Sequence, residues 1–271
     1  MRTATPLDQP RAIGAAMVSS KLGPHGSCID GLRQSGALKL LFPRRSGAVE
    51  AILINTAGGI TGGDRFETRA TANPNSHLML TTQAAERAYC AQYGQIGRVD
   101  TQLSAGPDAK LFWLPQETIL YDGAAIQRRL KATIAPTSEF LMVEPILFGR
   151  RAMGEDVTDL RFEDRIEIHC DGKPLYRDGL SLTGCVAQQL DRPAIGNGAR
   201  AMASLVWHAS QAQARLAAVR QLIGHTGGAS MLTERLMVLR LLAEDGFELR
   251  KSLLPILDLM TENTLPQSWR L

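Results

Sequence analysis

The sequence has little of what most enzyme classes are read from. Its 271 residues include four cysteines, Cys28, Cys90, Cys170 and Cys185, and no two form a CxxC pair. Neither a zinc ribbon nor a dithiol redox motif is therefore encoded. Thiols spaced this widely are expected to be free and buried or weakly exposed, not a disulfide framework. There is no HExxH helix for zinc, and His25-Gly-Ser-Cys28 and His169-Cys170 are fragments of a ligand set. There is also no GxSxG elbow to present a serine nucleophile. Aromatic residues make up only 5%, too few for a base-stacking platform, and the net charge is a mild +3. Basic residues are dispersed apart from short pairs such as Arg44-Arg45 and Arg128-Arg129, so nucleic acid is not an expected partner. No apolar run is long enough to cross a membrane. The longest uncharged stretch, Ala201 to Ala214, is broken by Ser204, His208, Ser210, Gln211 and Gln213. Pro6, Asp8 and Pro10 stand where a secretory signal needs an apolar run, and a cytoplasmic location is expected.

What is present is apolar content, 44% against 21% charged, enough for a core that needs no disulfide or structural metal. The expected organisation is a frayed lead-in over residues 1–12 followed by one domain over 13–271. Within that domain, residues 13–208 read as β and 209–271 as helix-containing.

Period-two alternation carries the β reading. Phe66, Thr68, Ala70 and Ala72 share one face, and Ile166, Ile168 and Cys170 share another. Asp171-Gly172 signals a hairpin whose return strand begins near Leu175-Tyr176. Further strands are expected at Ala48–Asn55, His77–Thr82, Lys110–Leu114, Arg128–Ile134, Phe140–Val143, Leu180–Val186 and Ala201–Trp207. Consecutive strands with little helix between them point to antiparallel pairing around one core.

Near the end the period changes. Ala212, Leu216, Val219, Leu222 and Ile223 predict a helix stopped by Gly224. Leu236–Leu242 fits helix or strand. Phe247, Leu249, Leu253, Leu254, Leu257 and Met260 predict a second helix, kinked or broken at Pro255. The fold class is thus mainly β (α+β), with stacked antiparallel or mixed sheets forming one elongated body. A few helices are concentrated in the last 60 residues. No internal repeat or low-complexity linker is evident.

Four segments stand out chemically. Asn55-Thr-Ala-Gly-Gly-Ile-Thr-Gly-Gly-Asp64 is rich in glycine, yet it lacks the GKS/GKT and GxGxxG spacings, and a strand follows it. A phosphate loop needs a helix N-terminus, so a glycine-rich connection with several positive φ angles is the plainer reading. A nucleotide-binding module remains the rival. Asp64, beside that open backbone, could bind a cation. The other segments are His77–Tyr89, Phe112–Ile119 and Val143–Glu155. Glu144 lies in the apolar run Phe140–Phe148, where an unpaired carboxylate costs several kcal/mol. Either Arg150 or Arg151 pairs with it, or it lines an internal polar passage. A second rival is a β-rich hydrolase or lyase using Glu117, Glu144 or Glu155 as acid and base.

In this order, four motifs resemble the urease accessory protein family UreD, called UreH in some organisms. They are Ile54–Asp64, Leu80-Thr-Thr-Gln-Ala-Ala-Glu-Arg-Ala-Tyr89, Trp113-Leu-Pro-Gln-Glu-Thr-Ile119, and Leu147-Phe-Gly-Arg150 through Gly154-Glu155. The Ile166–Leu175 hairpin and the tail Leu265-Pro-Gln-Ser-Trp-Arg270 also look like family positions. The resemblance implies a β-rich, non-enzymatic chaperone for metallocentre assembly that bridges UreF, and through it the GTPase UreG, to apo-urease. It implies no permanently bound cofactor, with Ni²⁺ in transit through an internal tunnel. Asp64, Glu144 and Asp178 are the residues carried over to line it, although the family more often has Glu at the last. It further implies that the C-terminal helices and Trp269 serve partner contacts, and that the free chain is poorly soluble without UreF.

Overall fold

The computed structural model describes residues 9–270, so most of the expected lead-in, residues 1–8, lies outside the described residues. Strands β1 (Ile13–Gly23) and β2 (Gly26–Gly36) form an antiparallel hairpin in one sheet. Strands β3 (Leu38–Leu41) and β4 (Val49–Asn55) pair antiparallel in a second sheet. The chain then alternates between the two. Strand β5 (Arg65–Ala72) is in the first sheet, and β6 (His77–Thr82) and the short β7 (Glu86–Ala88) are in the second. Strand β8 (Gly97–Ala105) returns to the first, and β9 (Lys110–Leu114) and β10 (Thr118–Leu120) to the second. Strands β11 (Ala125–Ile134) and β12 (Glu139–Phe148) repeat the step. Strands β13 (Leu160–Cys170) and β14 (Lys173–Gly184) close the first sheet. After α1 (Val186–Asp191), the second sheet is completed by β15 (Ala201–His208), β16 (Gly227–Met231) and β17 (Leu236–Ala243). Helix α2 (Ala212–Ile223) separates the first two of these, and α3 (Gly246–Thr261) follows the last.

Alternation between sheets makes the interior ladders parallel: β5, β8, β11 and β13 in one sheet, β4, β6, β9 and β12 in the other. The antiparallel expectation therefore holds only toward the ends, and the sheets are mixed. Turns that read as hairpins along the sequence instead carry the chain across to the facing sheet. Three of them are alike. Asn73–Ser76, Gly106–Ala109 and Ala135–Ser138 are each closed by a bond from the fourth amide to the first carbonyl, at 3.1, 3.2 and 3.1 Å. Proline occupies the second position in all three (Pro74, Pro107, Pro136), where its fixed φ suits the turn. The turns also stack, with Lys110 N–H donating to Ser76 O and Glu139 N–H to Ala109 O, both at 2.8 Å. This is a weak internal repeat, contrary to the sequence reading. Only the proline and the strand after it recur, so composition hides it.

The apolar residues divide between two cores. Inward faces of both sheets bury Phe66, Leu103, Leu130, Phe140, Phe162 and their neighbours. The outer face of the second sheet packs Phe112, Leu141, Leu205 and Trp207 against α2 and α3. That sheet is buried on both faces, which is why β12 and β15 read as continuous apolar runs.

Several expectations hold closely. Asp171 and Gly172 both adopt positive φ (51° and 72°) in the β13–β14 hairpin, as a two-residue turn of this type requires. Helix α2 ends at Gly224, and the segment left open between helix and strand, Leu236–Ala243, is a strand. Others need correction. Residues 180–184 belong to β14, but Val186 begins α1. Helix α3 runs through Pro255, which lies on its exposed side together with Lys251, whose carbonyl loses its amide partner there. Phe247 is 74% exposed and does not belong to the apolar face of that helix. Cys28 and Cys90 are exposed rather than buried, and all four thiols are free.

Candidate functional site

A polar layer interrupts the apolar space between the two sheets. Ile126, Arg128, Leu130, Ala132 and Ile134 form the inward row of β11, and Phe162, Asp164, Ile166 and Ile168 that of β13. Arg128 and Asp164 are register partners in the parallel ladder. Glu144 reaches them from β12 in the facing sheet. All three are buried, with Glu144 only 5% and Asp164 only 7% exposed.

Arg128 holds Asp164 with a fork: Nε donates to Oδ1 at 3.0 Å and Nη2 to Oδ2 at 2.6 Å. Its Nη1 pairs with Glu144 Oε2 at 2.5 Å and donates to Thr118 Oγ1 at 3.2 Å. The indole N–H of Trp113 donates to Glu144 Oε1 at 2.7 Å. One guanidinium thus serves two buried carboxyl groups in a desolvated place. Burial works against the Arg128 charge, but Asp164 and Glu144 outweigh it and hold the group firmly protonated. Burial, with the Asp164 charge adding to it, holds the Glu144 carboxyl above its ordinary value against the opposing pull of Arg128 and the indole N–H.

A cavity of about 80 Å³ abuts this layer, lined by Thr68, Thr101, Trp113, Thr118, Arg128 and Glu144 among others. It shares Leu38, Leu53, Thr82 and Glu86 with a groove of about 210 Å³ that includes Asn55 and Gly58. On the other side of Arg128, Asp164 lines a void of about 10 Å³ with Asp178, Ser204 and Arg240. Polar groups therefore follow one another between the sheets from Glu86 to Asp178.

Glu86 stands where groove and cavity meet. Asn55 Nδ2 donates to its two oxygens at 3.2 and 3.1 Å. Burial raises its pKa to about 7, with the Asp64 charge adding to the rise. Between pH 4.5 and about 7 the unfolded chain releases a proton that the folded chain retains, so stability falls as pH rises through that window. Glu86→Gln will remove this slope and raise stability above pH 7 by about 1–3 kcal/mol, at ~1.4 kcal/mol per pKa unit. Thermal melts of both proteins from pH 4.5 to 8 check it.

The three residues named from sequence occupy different places. Asp64 is buried after the glycine-rich connection, where Gly58, Gly59 and Gly63 have positive φ. Its Oδ1 accepts the Ala12 amide and its Oδ2 the Thr61 amide, both at 2.8 Å. Both oxygens thus serve backbone, pinning the segment that enters β1. Arg11, in the lead-in, is likewise tied, donating to Gln92 Oε1 at 2.7 Å. Glu144 lies in the polar layer, paired with Arg128 rather than with Arg150 or Arg151. Arg150 instead binds Glu155 and Arg151 binds Glu244. Asp178 pairs with Arg240 and accepts the Gly179 amide at 2.9 Å.

The sequence reading assigned no site role to Arg128, Asp164, Glu86 or Asn55, although Asn55 and Glu86 lie in the quoted motifs and Arg128 in a noted basic pair. The signal for the first two was a charge in phase with an apolar alternation, Arg128 with Leu130 and Ala132, and Asp164 with Ile166 and Ile168. The acid–base candidates Glu117, Glu144 and Glu155 are held by three different arginines, Arg250, Arg128 and Arg150. Among the described residues no three His, Cys, Asp or Glu side chains gather as a metal cage, and no helix is long and apolar enough to cross a membrane. Trp269 is 1% exposed, not a surface residue, and its indole N–H donates to Leu114 O at 2.9 Å.

A two-sheet scaffold with a charged layer between its sheets defines the class: a body built around a polar core layer. Comparison with known proteins supplies the family. The sequence model described as UreD urease accessory protein matches residues 13–270. The urease accessory protein UreD of Roseobacter denitrificans is 63% identical over 271 residues, covering 100% of this chain and 99% of its own. That of Ruegeria pomeroyi is 50% identical over 93% of this chain and 98% of its own. That of Agrobacterium fabrum is 43% identical over 98% and 94%. The chain belongs to the UreD family of urease accessory proteins, and its role is in urease maturation.

Proposed function

We propose that this chain is a non-enzymatic subunit that bridges UreF and UreG to apo-urease and conducts Ni²⁺ through its interior. One observation carries the reading: polar side chains between the sheets line a groove and an adjoining cavity, from Glu86 to Glu144, and beyond the Arg128–Asp164 pair a separate small void reaches Asp178. Carboxylate oxygens bind a divalent cation, and meeting it one or two at a time lets it move on. At a pH below about 7, an ion arriving at Glu86 releases a proton there. Asp64 acts indirectly in this scheme. It fixes the glycine-rich connection and adds negative field at Glu86, since both its oxygens are engaged by amides.

Bridging and conduction are tested together. The chain, co-expressed with UreF, UreG and apo-urease, is expected to co-purify with them and to support nickel-dependent activation. Asp178→Asn is expected to assemble normally and to lower activation. A chain that remains monodisperse alone and ignores UreF contradicts the bridging role, and full activation by Asp178→Asn removes that residue from the route.

A further inference from the structure

Two buried carboxylates facing each other across a desolvated gap, with a hydroxyl beside them, are the makings of a divalent cation trap. Here Arg128 stands between them. Its fork to Asp164 lies within one ladder, between register partners, whereas its contact to Glu144 is one N–H reaching across to the facing sheet. The two contacts are therefore unequal, and the Glu144 contact can be surrendered while the guanidinium stays paired. Glu144 keeps its Trp113 bond and its wall of the cavity in either case.

We propose that Arg128 is a resident counter-cation. It fills the position a divalent ion would take between Glu144 and Asp164, and a passing ion replaces it at Glu144 alone. Guanidinium suits this because it cannot lose its proton, so the competing charge is always present. The ion then meets one carboxylate instead of two, and it is passed on instead of being held. The inference rests on the conduction reading, and it assigns the residue that sets how tightly the ion is bound.

The test is Ni²⁺ binding by the full chain in complex with UreF, measured by equilibrium dialysis with Ni²⁺ alone, and with melting curves to confirm folding. Arg128→Gln is expected to bind one Ni²⁺ at least about tenfold more tightly than the native chain, since two unbalanced carboxylates then face the ion. Adding Glu144→Gln to it is expected to abolish the gain. Arg128→Lys keeps the charge but cannot fork to both partners. It provides the second variant if the glutamine form does not fold, with a smaller gain in affinity. Unchanged Ni²⁺ affinity in a folded Arg128 variant overturns the proposal. Failure of the conduction reading shows elsewhere, as full urease activation by a chain carrying Glu144→Gln with Arg128 intact.

Discussion

Glu144→Gln will lower nickel-dependent urease activation by roughly ten- to a hundredfold, the loss typical of disturbing even an outer partner of a metal. Assembly of the complex is expected to remain intact. Glutamine keeps the volume of the side chain, and its carbonyl oxygen can still accept the Trp113 indole N–H. What disappears is a carboxyl group on the cavity wall, which among the described residues carries one other, Glu86. Arg128 is not left unpaired, because both arms of its fork to Asp164 survive. The stability cost is accordingly expected to stay below the ~3–5 kcal/mol of a buried charge stripped of its partner. Activation by the purified complex and the melting temperature of the variant separate the two effects. Normal activation at normal stability removes Glu144 from the route.

Trp269→Ala will cost about 3–5 kcal/mol of stability, as truncating a large buried aromatic does. At roughly 2–4 °C per kcal/mol for a chain of this size, the melting temperature is expected to fall by about 10 °C. The tail closes over the second sheet and α3 through several contacts at once. Trp269 donates to the Leu114 carbonyl, and the Arg250 guanidinium lies 5.5 Å from its ring centre. Arg250 in turn forks to Glu117 at 2.6 and 2.8 Å and donates to Gln116 Oε1 at 2.8 Å. Ser268 and Thr81 share a hydroxyl bond of 3.3 Å. Removing the indole therefore loosens a half-buried ion pair as well as opening a hole. A loss below about 1 kcal/mol means that the site collapses around the smaller side chain. The residue's effect on partner binding, if any, then follows from this internal packing rather than from a surface contact.

These residues show which features of the chain were legible in the sequence. Strand alternation located Phe66–Ala72 in β5, because burial on the pleat has a fixed period. His77–Thr82 and Lys110–Leu114 were instead located with their observed ends as short apolar runs, because their sheet is buried on both faces. The Asp171-Gly172 turn and the Gly224 stop were legible for a similar reason, since each is a local demand on φ. Strand pairing was not local. Whether Pro74, Pro107 and Pro136 turn the chain back on itself or across to the facing sheet depends on contacts roughly thirty positions away. The same holds for the polar layer. Glu144 stood out as a charge in an apolar run, but its partner is sixteen residues back on another sheet, not the arginines that follow it. Trp269 misled because an aromatic near a terminus looks the same whether it packs inward or outward.

The central claim, that nickel crosses the space between the sheets, is tested most directly by filling that space without touching a charge. Thr101 lines the cavity of about 80 Å³ and points inward from β8. Thr101→Phe adds enough volume to close it, at an overpacking cost of about 1–3 kcal/mol. The measurement is the nickel content of urease after incubation with Ni²⁺ and the complex carrying either the native or the Thr101→Phe chain. The account predicts assembled complexes in both cases and nickel-poor urease only with the filled cavity. Equal nickel content in the two would contradict it.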